Sequence, residues 1–130
     1  MINLDLDESL VINDIPENEI KIYITKIVEE ALKLNNITNK NIYLSIQSVS
    51  KEEIKKINKE YRNVDSETDV LSFPIFEKDE FKNLKFDEVE IGDIIICLDV
   101  VKSQAIEYGT GQKRELLYMI THGVCHLLRI

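Results

Sequence analysis

Ile42-Tyr43-Leu44-Ser45-Ile46-Gln47-Ser48-Val49-Ser50-Lys51-Glu52-Glu53-Ile54-Lys55-Lys56-Ile57-Asn58-Lys59-Glu60-Tyr61 changes its period halfway along. Through residue 48, apolar Ile42, Leu44 and Ile46 alternate with Tyr43, Ser45 and Gln47. That is the period of two of a half-buried strand. Ser50-Lys51-Glu52-Glu53 is a capping box, in which the Ser hydroxyl and the Glu carboxylate satisfy each other's free backbone N–H groups. A helix to about Tyr61 follows, with Ile54, Ile57 and Tyr61 as its apolar seam. Strand and helix are therefore interleaved along this chain.

The same reading extends in both directions. Residues 2–12 alternate and read as a strand. Asp14-Ile15-Pro16-Glu17 signals a helix start with Asp14 as cap. Ile20, Tyr23, Ile24, Ile27, Val28, Ala31 and Leu32 form one stripe of that helix, and Asn35-Asn36 closes it. Downstream, Thr68 to Phe73 reads as a strand ending at Pro74. Residues 77–90, with Asp79, Glu80, Asp87, Glu88 and Glu90, read as an acidic surface loop. Residues 91–98 form a strand centred on Ile94-Ile95-Ile96. Asp99 is positioned to cap a helix to about Tyr108 that Gly109 stops. A last helix runs from about Gln112 to the end, with Leu116, Leu117, Met119, Ile120, Val124, Leu127 and Leu128 apolar. The order βαβαββαα predicts one α+β domain over residues 1–130, with a small mixed sheet of about four strands packed with helices.

Composition bounds the function. With 130 residues, 44% hydrophobic and 31% charged, the chain is an ordinary globular one and long enough to bury a core. Sixteen Lys and Arg against 24 Asp and Glu give a net charge of −8. Nucleic acid and anionic membranes repel such a chain on average, so an RNA function needs a local basic patch or a metal. Cys97 and Cys125 cannot build a disulfide framework, and both read as small buried thiols of a reduced, cytoplasmic protein. No apolar run reaches the roughly 20 residues of a membrane span, and the acidic N-terminus is unlike a secretory signal.

Three features carry chemistry. His122-Gly123-Val124-Cys125-His126 holds the only two histidines. Residues four apart share a helix face, so both imidazoles can aim at one ion, zinc being the commonest partner. The alternative is two metal-free histidines bonded to water or backbone. Gly123 replaces the general-base Glu of a His-Glu-x-x-His protease, which disfavours that class. A Gly inside a helix also implies a close approach to its backbone. Cys125 points about a quarter turn away from His126 and reads as core. The second feature is Arg62, at a helix end before the polar Asp69 and Ser72. Its planar fork suits a phosphate. A salt bridge to Asp65 or Glu67 near the helix dipole is the commoner fate of such a residue. The third is a basic stripe of Lys51, Lys55, Lys59 and Arg62, which is also how a solvated helix face looks.

Taken together, Tyr61-Arg62, Thr68-Asp69-Val70-Leu71-Ser72-Phe73-Pro74, Gly92-Asp93-Ile94-Ile95-Ile96, Gln104-Ala105 with Glu107-Tyr108-Gly109, Arg114-Glu115-Leu116 and His122-Gly123-Val124-Cys125-His126-Leu127-Leu128 resemble, in content and order, the YbeY family of bacterial metal-dependent endoribonucleases. The resemblance covers most of the chain from about residue 40. It implies an α+β fold with one zinc held by three His, single-strand-specific cleavage, a role in small-subunit rRNA 3′-end maturation and ribosome quality control, and the small ribosomal subunit as partner. His122 and His126 match the first two metal ligands. Arg62 matches the functional Arg of the cleft, and Ser72 is assigned with it to substrate binding. Asp69 and Ser72 are expected near that cleft as capping or positioning groups. After His-Leu-x the family motif continues with Gly, an aromatic, Asp and a third His, where this sequence has Arg129 and Ile130. The expectation is a weaker metal site, and with it two readings: an endoribonuclease, or a ribosome-assembly and RNA-binding factor with an incomplete, inactive metal site.

Overall fold

A computed structural model describes residues 2–6, 15–37, 40–77, 80 and 87–128. In chain order the elements are β1 (Ile2–Leu6), α1 (Glu17–Leu34), β2 (Asn41–Ser48), α2 (Lys51–Arg62), β3 (Val70–Pro74), β4 (Glu88–Ile96), α3 (Leu98–Tyr108) and α4 (Gln112–Leu127). This is the predicted βαβαββαα order. The strands form one mixed sheet in the order β1-β2-β4-β3. β1 runs parallel to β2, β2 parallel to β4, and β3 antiparallel to β4.

Each face of the sheet has its own cover. Ile42, Leu44 and Ile46 of β2 share the main core with Ile20, Ile24 and Val28 of α1 and Leu116, Ile120 and Val124 of α4. Fully burying one such side chain contributes about 1.5–3 kcal/mol. The opposite face carries a smaller cluster of Ile54, Leu71 and Cys97, flanked by Ile57, Phe73 and Ile95. α2 therefore lies on one side and α1 and α4 on the other. Ser50 caps α2 as the box predicts, its Oγ accepting from Glu53 N at 3.1 Å. Ser50→Ala is expected to cost about 1 kcal/mol, read as a lower urea midpoint with an unchanged slope.

Several expectations need correction. β4 begins at Glu88, so residues 88–90 belong to the sheet rather than to a loop. The cause is a register shift opposite Tyr43/Leu44, where Gly92 stands at φ 138°. Val89 and Ile91 are buried before it and Ile94 and Ile96 after it, so the alternation slips by one residue and hides the strand. β4 also stops at Ile96 rather than 98. Cys97, not Asp99, takes the cap position of α3, without a side-chain cap. Asp99 lies in the first turn, where a carboxylate favours the helix dipole. Pro16 takes the cap position of α1, its carbonyl accepting from Glu19 N and Ile20 N. Asp14, strand residues 7–12, loop residue Asp79, and Arg129 and Ile130 lie outside the described residues. On α2, Tyr61 is 65% exposed, whereas Asn58, at 2%, fills the seam one turn after Ile54.

Candidate functional site

The end of α2, β3 and α4 enclose a cleft of about 570 Å³ whose lining includes Arg62, Asp69, Ser72, Tyr118, His122 and His126. Arg62 owes its place to the helix end. Asn63 adopts the left-handed conformation at φ 58°. Its N–H donates to Lys59 O at 3.1 Å and that of Val64 to Asn58 O at 3.3 Å, closing the helix with a Schellman-type turn. The buried Asn58 amide donates to Ser66 O at 3.0 Å and ties the following loop back to the helix. Tyr61 meets Phe73 of β3 edge-on, with ring centroids 5.3 Å apart. These contacts fix the last turn of α2 against β3 while leaving the Arg62 side chain exposed.

The salt bridge expected for Arg62 is absent among the described residues. Asp65 instead lies 3.9 Å from Lys59. The Arg62 fork is thus free to meet an anion. Of the basic stripe, Lys51 is half-buried, Lys55 and Lys59 are exposed on a solvated face, and only Arg62 lines the cleft.

β3 supplies the floor. Asp69 stands just before the strand, and its Oδ1 accepts from Val70 N at 2.7 Å and from the Thr68 hydroxyl at 3.3 Å. Its carbonyl accepts from Cys97 N at 2.9 Å, which extends the ladder toward α3. Asp69 thus has the capping place expected of it. Ser72 pairs with Ile94 and so points to the α4 side of the sheet, where its Oγ donates to Gly123 O at 3.5 Å.

Gly123 explains how α4 comes so near. A Cβ there would stand 3.1 Å from Ile94 Cδ1 and 3.3 Å from Ser72 Oγ. The close approach its sequence implied is the helix resting on β3 and β4. With Gly123 buried against the sheet, His122 and His126 are exposed, one turn apart, and both line the cleft. Cys125 is only half-buried and stands outside the core, unlike Cys97.

The chemistry of the donors bears on zinc. Two imidazoles one helical turn apart fit two positions of a tetrahedral ion. Among the described residues, no group of three or more His, Cys, Asp or Glu is placed to hold a metal.

Sequence reasoning overlooked Asn58 and the cleft wall at Tyr118 and Met119. Both had a signal. Asn58 interrupts an apolar seam at helical spacing, and Tyr118 stands four residues before His122, on the same helix face. Among the described residues, no helix is long and apolar enough to cross a membrane.

Comparison with known proteins gives a consistent picture. The family model for endoribonuclease YbeY matches residues 7–129. Endoribonuclease YbeY of Caldicellulosiruptor bescii is 47% identical over an alignment covering 56% of this chain and 49% of that protein. The corresponding protein of Clostridioides difficile is 42% identical, covering 56% and 47%. That of Mycoplasmopsis pulmonis is 48% identical, covering 55% and 46%. The chain spans about half the length of the curated relatives it matches. Among solved structures, the solution structure of TM1509 from Thermotoga maritima aligns with a TM-score of 0.56 and 28% identity, covering 98% of this chain and 72% of that one.

Proposed function

This chain belongs to the endoribonuclease YbeY family, and we propose that it works as a metal-dependent, single-strand-specific endoribonuclease. Its proposed substrate is the 3′ region of small-subunit rRNA, met on the ribosomal particle in the cytoplasm during maturation and quality control. One observation carries this reading: Arg62, His122 and His126, from two helices far apart in sequence, line a single cleft.

In this reading each side chain has a separate task. Arg62 grips the scissile phosphate through its planar fork and stabilises the negative charge that grows on the phosphoryl oxygens. Its lack of a carboxylate partner among the described residues leaves the whole fork for the substrate. Ser72 offers its hydroxyl at the cleft floor, beside the backbone of Gly123. Asp69 holds the start of β3 in place through its bonds to Val70 and Thr68. His122 and His126 are the proposed zinc ligands rather than acid–base groups. When bound, zinc would supply Lewis-acid charge and a water made acidic enough to attack near neutral pH.

The test joins metal analysis of the purified chain to cleavage of a single-stranded RNA by wild type and His126→Ala. Wild type is expected to hold zinc, more loosely than a site with three protein ligands would, and to cut. His126→Ala should bind zinc more than about 100-fold more weakly, because even outer-shell partners of a metal command up to that range, and its cleavage should fall in parallel. Equal cleavage by the two proteins overturns the metal role. Salt-dependent binding to small-subunit particles with neither cleavage nor zinc would favour the assembly-factor reading.

A further inference from the structure

A second and larger cleft, of about 1320 Å³, borders the first, and the two share Asp69, Tyr118 and Met119. Its wall includes Tyr108 at the end of α3 and Arg114 and Tyr118 on α4. On α4, Arg114, Tyr118, His122 and His126 follow one another at intervals of four residues, and all four are exposed. Such positions make one ridge along a helix. From Arg114 to His126 the ridge rises about 18 Å. It begins in the large cleft with a cation and an aromatic ring and ends in the small cleft with the two imidazoles.

Tyr108 is 62% exposed and Tyr118 64% exposed, each presenting a ring to the cleft. Arg114 has no ion pair among the described residues, whereas its neighbour Lys113 is engaged with Glu19. In a chain with net charge −8, a guanidinium without a carboxylate partner is a local place for an anion to bind. Exposed rings beside a free guanidinium, continuous with a phosphate-gripping cleft, match the chemistry of unpaired nucleotides: bases stack on the rings and a phosphate meets the cation.

We propose that Tyr108, Arg114 and Tyr118 form a track that binds the single-stranded nucleotides flanking the phosphodiester held at Arg62, His122 and His126. This inference rests on the proposed nuclease reading and adds to it where the strand runs. The track also supplies a reason for single-strand preference, because a base inside a duplex has no free face to lay on a tyrosine.

The test is fluorescence anisotropy with a 5′-fluorescein oligouridylate, its intactness over the measurement checked on a denaturing gel, and a duplex of the same length as control. Tyr108→Ala and Tyr118→Ala should each weaken single-strand binding about tenfold and leave the duplex unchanged. Tyr118→Phe, which keeps the ring, should bind like wild type. Arg114→Gln should lower the slope of log affinity against log salt by about 0.7, the loss of one single-strand phosphate contact. Far-UV circular dichroism checks that each variant is folded, and the two tyrosines, on different helices, report independently. If all three positions bind like wild type while Arg62→Ala weakens binding, the track is wrong and the nuclease reading stands. If the tyrosine variants lose single strand and duplex equally, stacking is wrong. If wild type binds no single-stranded RNA, the nuclease reading fails and the track with it.

Discussion

Arg62→Ala is expected to lower RNA cleavage by about 10²–10³-fold, the usual cost of removing one preorganised group from a developing oxyanion. The protein should remain as stable as before. Arg62 is exposed, forms no ion pair among the described residues, and sits at a helix end already closed by Asn63 and Val64. Its removal therefore takes away a charge and a fork without opening the fold. Single-turnover cleavage at saturating RNA isolates the effect on the chemical step, and the urea midpoint confirms the unchanged fold. Arg62→Lys sharpens the reading. Lysine keeps the charge but not the bidentate geometry, so it should recover only part of the loss. Lys59→Ala, one turn back on the same solvated stripe but outside the cleft and engaged with Asp65, should cut within about twofold of wild type, as expected of a surface cation screened by salt. A full rate from Arg62→Ala, or an equal loss from Lys59→Ala, removes Arg62 from the reaction.

The contrast between Arg62 and Lys59 shows what could and could not be read from the residues alone. Periodicity placed both on the same helix. It could not tell which would find a partner, because that depends on how the chain turns after residue 63, and the turn is tied to the buried Asn58, to which the helical pattern assigns no role. The strands behave in the same way. The alternation of residues 42–48 survives intact because β2 lies in the middle of the sheet with one face on the main core. The alternation of 88–96 does not, because the register shift at Gly92 exchanges its two faces partway along. A period-two pattern is legible only while the pleat is unbroken. For the site, the spacing of His122 and His126 set their common face. Nothing local revealed that the face would turn toward Arg62. That convergence follows from the packing of α4 on β3, for which the sequence offered a single sign, a glycine in mid-helix.

That packing can be tested through two glycines whose replacement by the same residue has different expected consequences. At Gly92 a Cβ would fall inside contact distance of the Phe73 carbonyl oxygen, 3.1 Å from the Phe73 carbonyl carbon and 2.9 Å from Leu127 Cδ2. The backbone there has φ 138°, a conformation open to glycine and strained for other residues. The obstacle is main chain, and it belongs to a strand paired residue by residue with β4, so neither side gives way without breaking the β3–β4 ladder. Gly92→Ala should therefore cost more than about 3 kcal/mol, within the range reserved for strain and overpacking combined. It should also weaken RNA binding in whatever fraction stays folded, because β3 carries Ser72 and is anchored by Asp69. At Gly123 the nearest atoms are the Cδ1 and Cγ2 methyls of Ile94 and the hydroxyl of Ser72, at 3.1–3.3 Å. Side-chain ends yield by a few tenths of an ångström, and alanine in mid-helix recovers about 1 kcal/mol over glycine. Gly123→Ala should thus change stability by no more than about 1 kcal/mol. Urea midpoints of the two variants, measured side by side, decide the matter: if Gly92→Ala unfolds no more readily than Gly123→Ala, β3 and β4 do not meet as closely as described, and the floor of the cleft lies elsewhere.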